Sequence, residues 1–158
     1  ITKFPRFLAT LQNLEELDLS YNKINGMIPK WFNDNLLHTW KGINYIGFSF
    51  NQLQGDPPIP PDGIQIFSVS NNNFIGHISP TFCNAALLNA LILSHNHLSR
   101  VISQCLRIFH FLIILDLQVN NFYRSILINF SQGNEFQTIK LNDNQLEGPL
   151  PQSLANCT

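Results

Sequence analysis

Charge is scarce in this chain of 158 residues, and that scarcity excludes one class of partner. Only 12% of the residues are charged, and the 9 basic and 10 acidic residues leave a net charge of −1. A protein that binds the phosphate backbone of a nucleic acid needs a positively charged surface. We therefore expect no nucleic-acid partner.

Cysteine and long apolar runs are also scarce. The 3 Cys residues form no Cys-x-x-Cys pair, so a zinc site is not supported. The longest nearly apolar stretch, residues 109–117, contains His110 and Asp116 and is too short to cross a bilayer. His95 and His97 are spaced to share a metal, but no third ligand accompanies them, so we expect neither metal nor cofactor.

Catalytic patterns are missing as well. The Ser, His and Asp residues form neither a nucleophile-and-base arrangement nor a pair of carboxylates in a cleft-forming context. We therefore expect a protein that is not an enzyme.

Leu, Ile and Asn, in contrast, are abundant, at 22, 18 and 20 residues. Comparison of the chain with itself finds a repeated frame in which apolar residues stand eight, five and three positions before an Asn and two after it. In the first unit these apolar residues are Leu14, Leu17, Leu19 and Ile24. The six anchor residues are Asn22, Asn51, Asn72, Asn96, Asn120 and Asn144.

Each unit has a direct physical interpretation. The Leu-x-Leu core alternates with period two, which predicts a short strand whose Leu side chains point into the core. The Asn follows where the chain turns inward, and a buried turn leaves backbone groups unpaired. A carboxamide can donate and accept, so we predict a ladder of Asn side chains that joins adjacent coils. The alternative is that Asn only favours the turn.

The anchors are spaced 29, 21, 24, 24 and 24 residues apart, which is the period of leucine-rich repeats. The long first unit contains residues 31–40, which predict a longer helix on the convex side. The short second unit contains residues 56–62, whose prolines predict an extended, polyproline-like crossing. Because the frame resumes after each irregular unit, we expect one solenoid domain over residues 1–158.

A bend follows the anchors. Gly26, Gly76 and Gly148 each stand four positions after an Asn, where Gly supports a turn toward the convex side. Arg100 and Arg124 replace that Gly in the fourth and fifth units. The two Arg residues could form a small basic spot, but we favour tolerated substitution at an exposed bend.

The consensus Leu-x-x-Leu-x-Leu-x-x-Asn-x-Leu-x-Gly-x-Ile-Pro resembles the plant-specific class of leucine-rich repeats. Within that class, residues 19–24, 67–74 and 142–151 resemble the ectodomain of plant receptor-like proteins, which are cell-surface receptors without a kinase. The resemblance implies an α/β repeat fold. This fold is a right-handed leucine-rich-repeat solenoid with a parallel concave sheet and short helical, 3₁₀ or irregular convex segments.

The resemblance also implies a function. We expect a non-catalytic recognition module for a peptide or protein ligand, working with a co-receptor kinase in defence or developmental signalling. It implies a parent protein on the extracellular side of the plasma membrane. The family's caps and membrane span do not occur in this sequence, so we expect a fragment. The alternatives are a secreted inhibitor of microbial wall-degrading enzymes and a degenerate, non-functional fragment.

The residues between the strand leucines form the concave face, where solenoids concentrate recognition. Exposed aromatic residues beside polar groups fit a protein contact. The candidate ligand-binding residues are Glu16, Asp18, Tyr21, Tyr45, Phe50, His95, Asp116 and Lys140.

Covalent modifications are expected on the convex side. Asn129 and Asn156 match the N-glycosylation sequon. Cys83 and Cys105 lie in the convex segments of adjacent coils, and an extracellular setting favours a disulfide between them. The alternative is a pair of buried thiols that pack as small apolar groups.

Overall fold

One strand from each repeat joins a parallel sheet of six strands. The computed structural model describes residues 1–102, 104–126, 130 and 133–156, with only the backbone at residues 36–38, 105 and 156. The six strands are β1 (Glu16–Asp18), β3 (Tyr45–Gly47), β5 (Ile66–Ser68), β7 (Ala90–Ile92), β9 (Ile114–Asp116) and β11 (Thr138–Lys140). Each pairs with the strand of the next repeat. The predicted parallel sheet is confirmed, and such crossovers are right-handed.

The side chains of these strands alternate between the core and the surface, as the frame predicts. Leu17 lies opposite Ile46, and Ile46 lies opposite Phe67, so equivalent residues of neighbouring repeats stack in the core. In the second to fifth repeats all four apolar positions of the frame are buried. In the sixth repeat they are only partly buried.

A second strand follows each anchor, and the frame did not predict it. These strands are β2 (Asn25–Met27), β4 (Gln52–Gly55), β6 (Asn73–Phe74), β8 (Ser99–Arg100), β10 (Asn121–Ser125) and β12 (Gln145–Glu147). They form two parallel sheets of three strands, one from each half of the chain. Asn25 pairs with Gln52, so the third residue after one anchor lies opposite the first residue after the next.

The convex segments differ between repeats. Helix α1 (Lys30–His38) occupies the long first unit, which confirms the predicted helix. Short 3₁₀-helices lie at Arg6–Thr10, Pro80–Asn84, Gln104–Ile108 and Gln152–Asn156. Trp40 follows α1 and is fully buried, and its indole N–H donates to the carbonyl of Leu11 at 2.8 Å.

The short second unit has neither helix nor strand in residues 56–61, in agreement with its proline content. Pro57, Pro58, Pro60 and Pro61 are buried there. Proline has no N–H, so an irregular segment rich in proline can be buried with few unpaired donors.

The anchor side chains form the predicted ladder. Asn96 Nδ2 donates to the carbonyls of Leu93 in its own coil and Val69 in the preceding coil, both at 3.1 Å. Its Oδ1 accepts from the N–H of Phe74 at 3.0 Å. Asn51, Asn72, Asn120 and Asn144 make the equivalent bonds. The ladder interpretation is therefore confirmed over the turn-only alternative.

Two positions in each repeat take left-handed backbone conformations. The residue before each anchor has φ between 53° and 58°, although three of the six are Tyr21, Phe50 and Val119. Four residues after the anchor, φ lies between 66° and 86°, whether the residue is Gly or is Arg100 or Arg124. Both Arg residues are exposed, and left-handed conformations are costly for residues with a Cβ.

Candidate ligand-binding surface

The pairing register of the six-stranded sheet arranges the concave face in rows. One row runs through Glu16, Tyr45, Ile66, Ala90, Ile114 and Thr138. The next runs through Asp18, Gly47, Ser68, Ile92, Asp116 and Lys140. The face is therefore acidic and aromatic at its first end, apolar in its middle and charged with both signs at its other end.

A tyrosine lies across the first end of this face. The hydroxyl of Tyr45 donates to Asp18 Oδ2 at 3.4 Å. The Tyr45 ring reaches Asp18 over Gly47, because a Cβ at Gly47 would be 2.6 Å from the Tyr45 hydroxyl and 2.8 Å from Asp18 Oδ1. Gly47 therefore permits the contact, and sequence reasoning missed its role. The only signal for Gly47 is its place opposite Asp18 in the register.

This contact shifts the ionisation of both groups. Burial raises the pKa of Asp18, but hydrogen bonds from Ser20 and from the Tyr45 hydroxyl outweigh burial, so the pKa of Asp18 lies below its usual value. Burial and the negative charge of Asp18 raise the pKa of Tyr45, and Glu16 adds to this effect. Asp18 is therefore an anion and Tyr45 a neutral phenol near neutral pH.

Tyr21 and Phe50 form an exposed aromatic pair. Their rings are stacked, with centroids 4.4 Å apart and planes inclined by 10°. Tyr21 is 76% exposed and Phe50 44% exposed, so the pair presents apolar area to solvent. Both residues have left-handed backbone conformations immediately before an anchor. Stacked aromatic rings of this kind fit an apolar part of a ligand.

The middle of the face is apolar and has few free polar groups. Ile66 is exposed, and Ile92 and Ile114 are half-buried. The hydroxyls of Ser49 and Ser68 share a hydrogen bond of 2.8 Å, so these serines satisfy one another. Their internal pairing supports the interpretation of the serines as small, strand-compatible residues.

An ion pair marks the other end. Lys140 Nζ lies 3.8 Å from Asp116 Oδ2, with the Lys140 side chain 50% exposed. Gln118 donates to the same carboxylate from its backbone N–H at 3.2 Å and from its side chain at 3.3 Å. Asp116 is buried and held from two sides. Lys140 therefore presents the more accessible charge of the pair.

The structure thus groups seven of the eight candidates and leaves one apart. Glu16, Asp18 and Tyr45 interact at the first end, Tyr21 pairs with Phe50, and Asp116 pairs with Lys140. His95 is exposed immediately before Asn96, and no described side-chain contact links it to another candidate.

The expected disulfide between Cys83 and Cys105 stays a prediction. Cys83 has a free, half-buried thiol, and the side chain of Cys105 lies outside the described residues. Cys83 follows the buried Phe82, whereas Cys105 precedes the buried Leu106 that occupies the equivalent place. In sequence, the two cysteines are therefore offset by two positions relative to these core residues.

Other expected sites lie at the limits of the described chain. Asn129 is outside the described residues, and only the backbone of Asn156 is described, at the end of the 3₁₀-helix Gln152–Asn156. Within the described ranges, no three His, Cys, Asp or Glu residues are grouped to hold a metal ion. Likewise, no helix in the described part of the chain has the length and apolar character needed to cross a membrane.

Comparison with known families identifies the repeats. The Leucine Rich Repeat family model matches residues 13–35, 63–85 and 135–157. This match agrees with the six parallel coils and the Asn ladder. The chain therefore belongs to the leucine-rich-repeat family.

The more specific resemblance is to plant receptor-like proteins. Receptor-like protein 18 of Arabidopsis thaliana is 34% identical over 159 residues, which cover 98% of this chain and 15% of that protein. Receptor-like protein 6 of the same plant is 34% identical over 176 residues, or 99% of this chain and 15% of that protein. The repeats are those of a plant receptor-like protein, and the chain spans about 15% of the length of these relatives.

A solved structure of a plant receptor ectodomain has a similar fold. The leucine-rich-repeat ectodomain of the Arabidopsis receptor kinase HAESA, in complex with an N-terminally extended IDA peptide hormone, superposes with a TM-score of 0.81 at 28% identity. The match covers 93% of this chain and 24% of that one.

Proposed function

We propose that this chain is a non-catalytic recognition module that binds a peptide or protein ligand along its concave face. The observation that supports this most directly is the exposed Tyr21–Phe50 stack at one end of a regular, mixed-chemistry sheet. Aromatic side chains that are already ordered before binding provide contact area at low entropic cost.

Each group of candidates has a role in this proposal. The Tyr21–Phe50 stack and the apolar middle of the sheet contact apolar ligand side chains. Asp18 and Glu16 contact donors or positive charge, while Tyr45 contributes its ring. At the other end Lys140 contacts an acceptor, with Asp116 orienting it, and His95 supplies a polar contact between the two ends.

The wider role follows from the relatives. We propose that the chain works as one solenoid unit of a glycosylated receptor on the extracellular side of the plasma membrane, with Asn129 and Asn156 as glycan acceptors. HAESA binds a peptide hormone, which supports a peptide ligand here. We further propose that the parent protein signals through a co-receptor kinase in defence or development.

Selection from a displayed library of random peptides against the 158-residue chain tests the concave face. We expect selected peptides to bind the unaltered chain and to bind Tyr45→Ala and Lys140→Glu about tenfold more weakly or worse. Asp62→Lys is the matched control, because Asp62 is exposed on the convex crossing. Peptides that bind all four proteins equally would overturn the proposal.

A further inference from the structure

A second concavity lies away from the concave face. It forms beside the irregular first two repeats, where the second unit has no convex helix between α1 and the 3₁₀-helix Pro80–Asn84. Two adjoining cavities of about 550 and 290 Å³ make up this side groove. Asn33 of α1 and Asp56 line both cavities, so these residues lie at the junction.

Asn33 supplies an unused acceptor at the junction. Its Oδ1 is buried and has no hydrogen-bond partner. A buried carbonyl oxygen without a donor is unfavourable, so a rotation of the Asn33 side chain that brings this oxygen to a ligand N–H would gain an interaction that the chain does not make.

Asp56 supplies a negative charge at the same junction. The carboxylate rests against Gly76, since a Cβ on Gly76 would overlap Asp56 Oδ1. In the described part of the chain Asp56 takes part in no ion pair, and the ion pair found there joins Lys140 and Asp116. Asp56 therefore offers an oriented carboxylate that is not neutralised by a cation.

The walls of the smaller cavity are partly apolar and partly polar. Pro57, Ile59 and Phe82 line it together with His77, Ser79 and the polar junction, and no Lys or Arg is among its lining residues. Lys30 lines only the larger cavity, beside Met27. A cavity that combines apolar walls with hydrogen-bond acceptors fits a long aliphatic side chain with a cationic, hydrogen-bond-donating head.

We propose that the smaller cavity of the side groove binds an arginine side chain of a partner protein. The guanidinium donates to the Asp56 carboxylate and, after rotation of the Asn33 side chain, to Asn33 Oδ1, while its methylene groups pack on Pro57 and Ile59. Arginine fits better than lysine because its planar fork presents several donors in fixed directions and can reach two acceptors at once. This site is separate from the concave face and does not depend on the function proposed there.

The test uses N-acetyl-arginine amide as the probe and N-acetyl-citrulline amide as its neutral counterpart of the same shape. Each is titrated into the ¹⁵N-labelled 158-residue chain, with the backbone amide signals followed by NMR. We expect saturable shifts around Asn33, Asp56 and His77 with the arginine amide, at a dissociation constant on the order of millimolar. The citrulline amide should produce no saturable shifts there.

Two variants and one control complete the test. Asp56→Asn removes the charge without changing the shape and should weaken binding of the arginine amide at least about fivefold. Asn33→Ala should weaken it as well. Asp62→Asn removes an exposed acidic charge from the same crossing and should leave it unchanged. Equal binding of the citrulline amide, unaltered binding by Asp56→Asn, or no saturable shifts in the unaltered chain would overturn the proposal.

Discussion

The strands of the six-stranded sheet precede the Asn anchors and the second strands follow them, and the two regions constrain their residues differently. The turn after each strand of the six-stranded sheet is held by Asn in all six repeats. The bend in the second strand is Gly in four repeats and Arg100 or Arg124 in the other two, with similar φ. The first position needs a particular set of donors and acceptors, and the second needs only a conformation. Neighbouring coils can impose a conformation on an unfavourable residue, but they cannot supply missing hydrogen bonds.

The six-stranded sheet and the second sheets also differ in continuity. The six strands of the concave sheet pair without interruption, whereas the second strands separate between β6 and β8. Two backbone bonds still join the coils at that place, from His97 to Phe74 at 2.8 Å and from Ser99 to Gly76 at 2.7 Å. The ladder also continues there, since the N–H of Phe74 donates to Asn96 Oδ1.

Replacement of a central anchor should have the largest effect. Asn96→Ala leaves the N–H of Phe74 without its side-chain acceptor inside the core and removes one of the two side-chain donors to the carbonyl of Val69. We expect a loss of about 3 kcal/mol in the free energy of unfolding, measured by chemical denaturation. Asn73→Ala is the control, because Asn73 is exposed, and a similar loss in both variants would contradict the ladder's importance.

Replacement of a bend glycine by alanine should have the next largest effect on stability. Gly76→Ala combines a left-handed conformation with overlap against Asp56, so we expect a loss of about 2 kcal/mol. Gly26→Ala has the same φ of 86° and no atom within 4 Å of the new Cβ. It should cost about 1 kcal/mol in the same denaturation experiment. Equal losses would show that only the conformation matters at Gly76.

The reverse substitution should stabilise the chain. Arg100→Gly relieves a left-handed conformation at φ 73°, and we expect a gain of up to about 1 kcal/mol in the free energy of unfolding. Arg107→Gly in the 3₁₀-helix Gln104–Ile108 should instead be neutral or destabilising, since Arg107 has no left-handed conformation. A loss of stability in Arg100→Gly would mean that the side chain makes favourable contacts.

The smallest effect on stability is expected on the concave face. Gly47→Ala should displace the Tyr45 ring from Asp18 and lower the pKa of Tyr45 toward its ordinary value. Tyrosinate absorbance measures this pKa in a background with Tyr21→Phe and Tyr123→Phe. Asp18→Asn should shift the pKa in the same direction, and an unchanged pKa in Gly47→Ala would contradict the contact.

The same pair predicts a dependence of stability on pH. The pKa of Asp18 is lower in the folded chain, so its contribution is present above about pH 4 and is lost as pH falls through the folded pKa. The pKa of Tyr45 is higher in the folded chain, so its contribution is present below about pH 10 and is lost as pH rises through the folded pKa. Denaturation of the unaltered chain and of Asp18→Asn across this range measures both contributions.

The sequence by itself determined the strands of the six-stranded sheet, the core positions of the repeat frame and the Asn ladder. Each depends on a spacing that recurs in every repeat, because a residue that faces the core of a solenoid keeps its place from coil to coil. The long helix of the first unit and the extended crossing of the second were predictable for a related reason, since proline and chain length limit local structure. The candidate face was predictable as the set of residues between the strand leucines.

Only the tertiary structure decided which of those residues meet. The Tyr45–Asp18 contact depends on Gly47 lying between them, and the side groove depends on two irregular repeats lying next to each other. The second strands depend on the offset between adjacent coils. A repeat pattern specifies which side chains are buried within one coil. Contacts between coils depend on register and on side-chain direction, which the pattern of one coil does not contain.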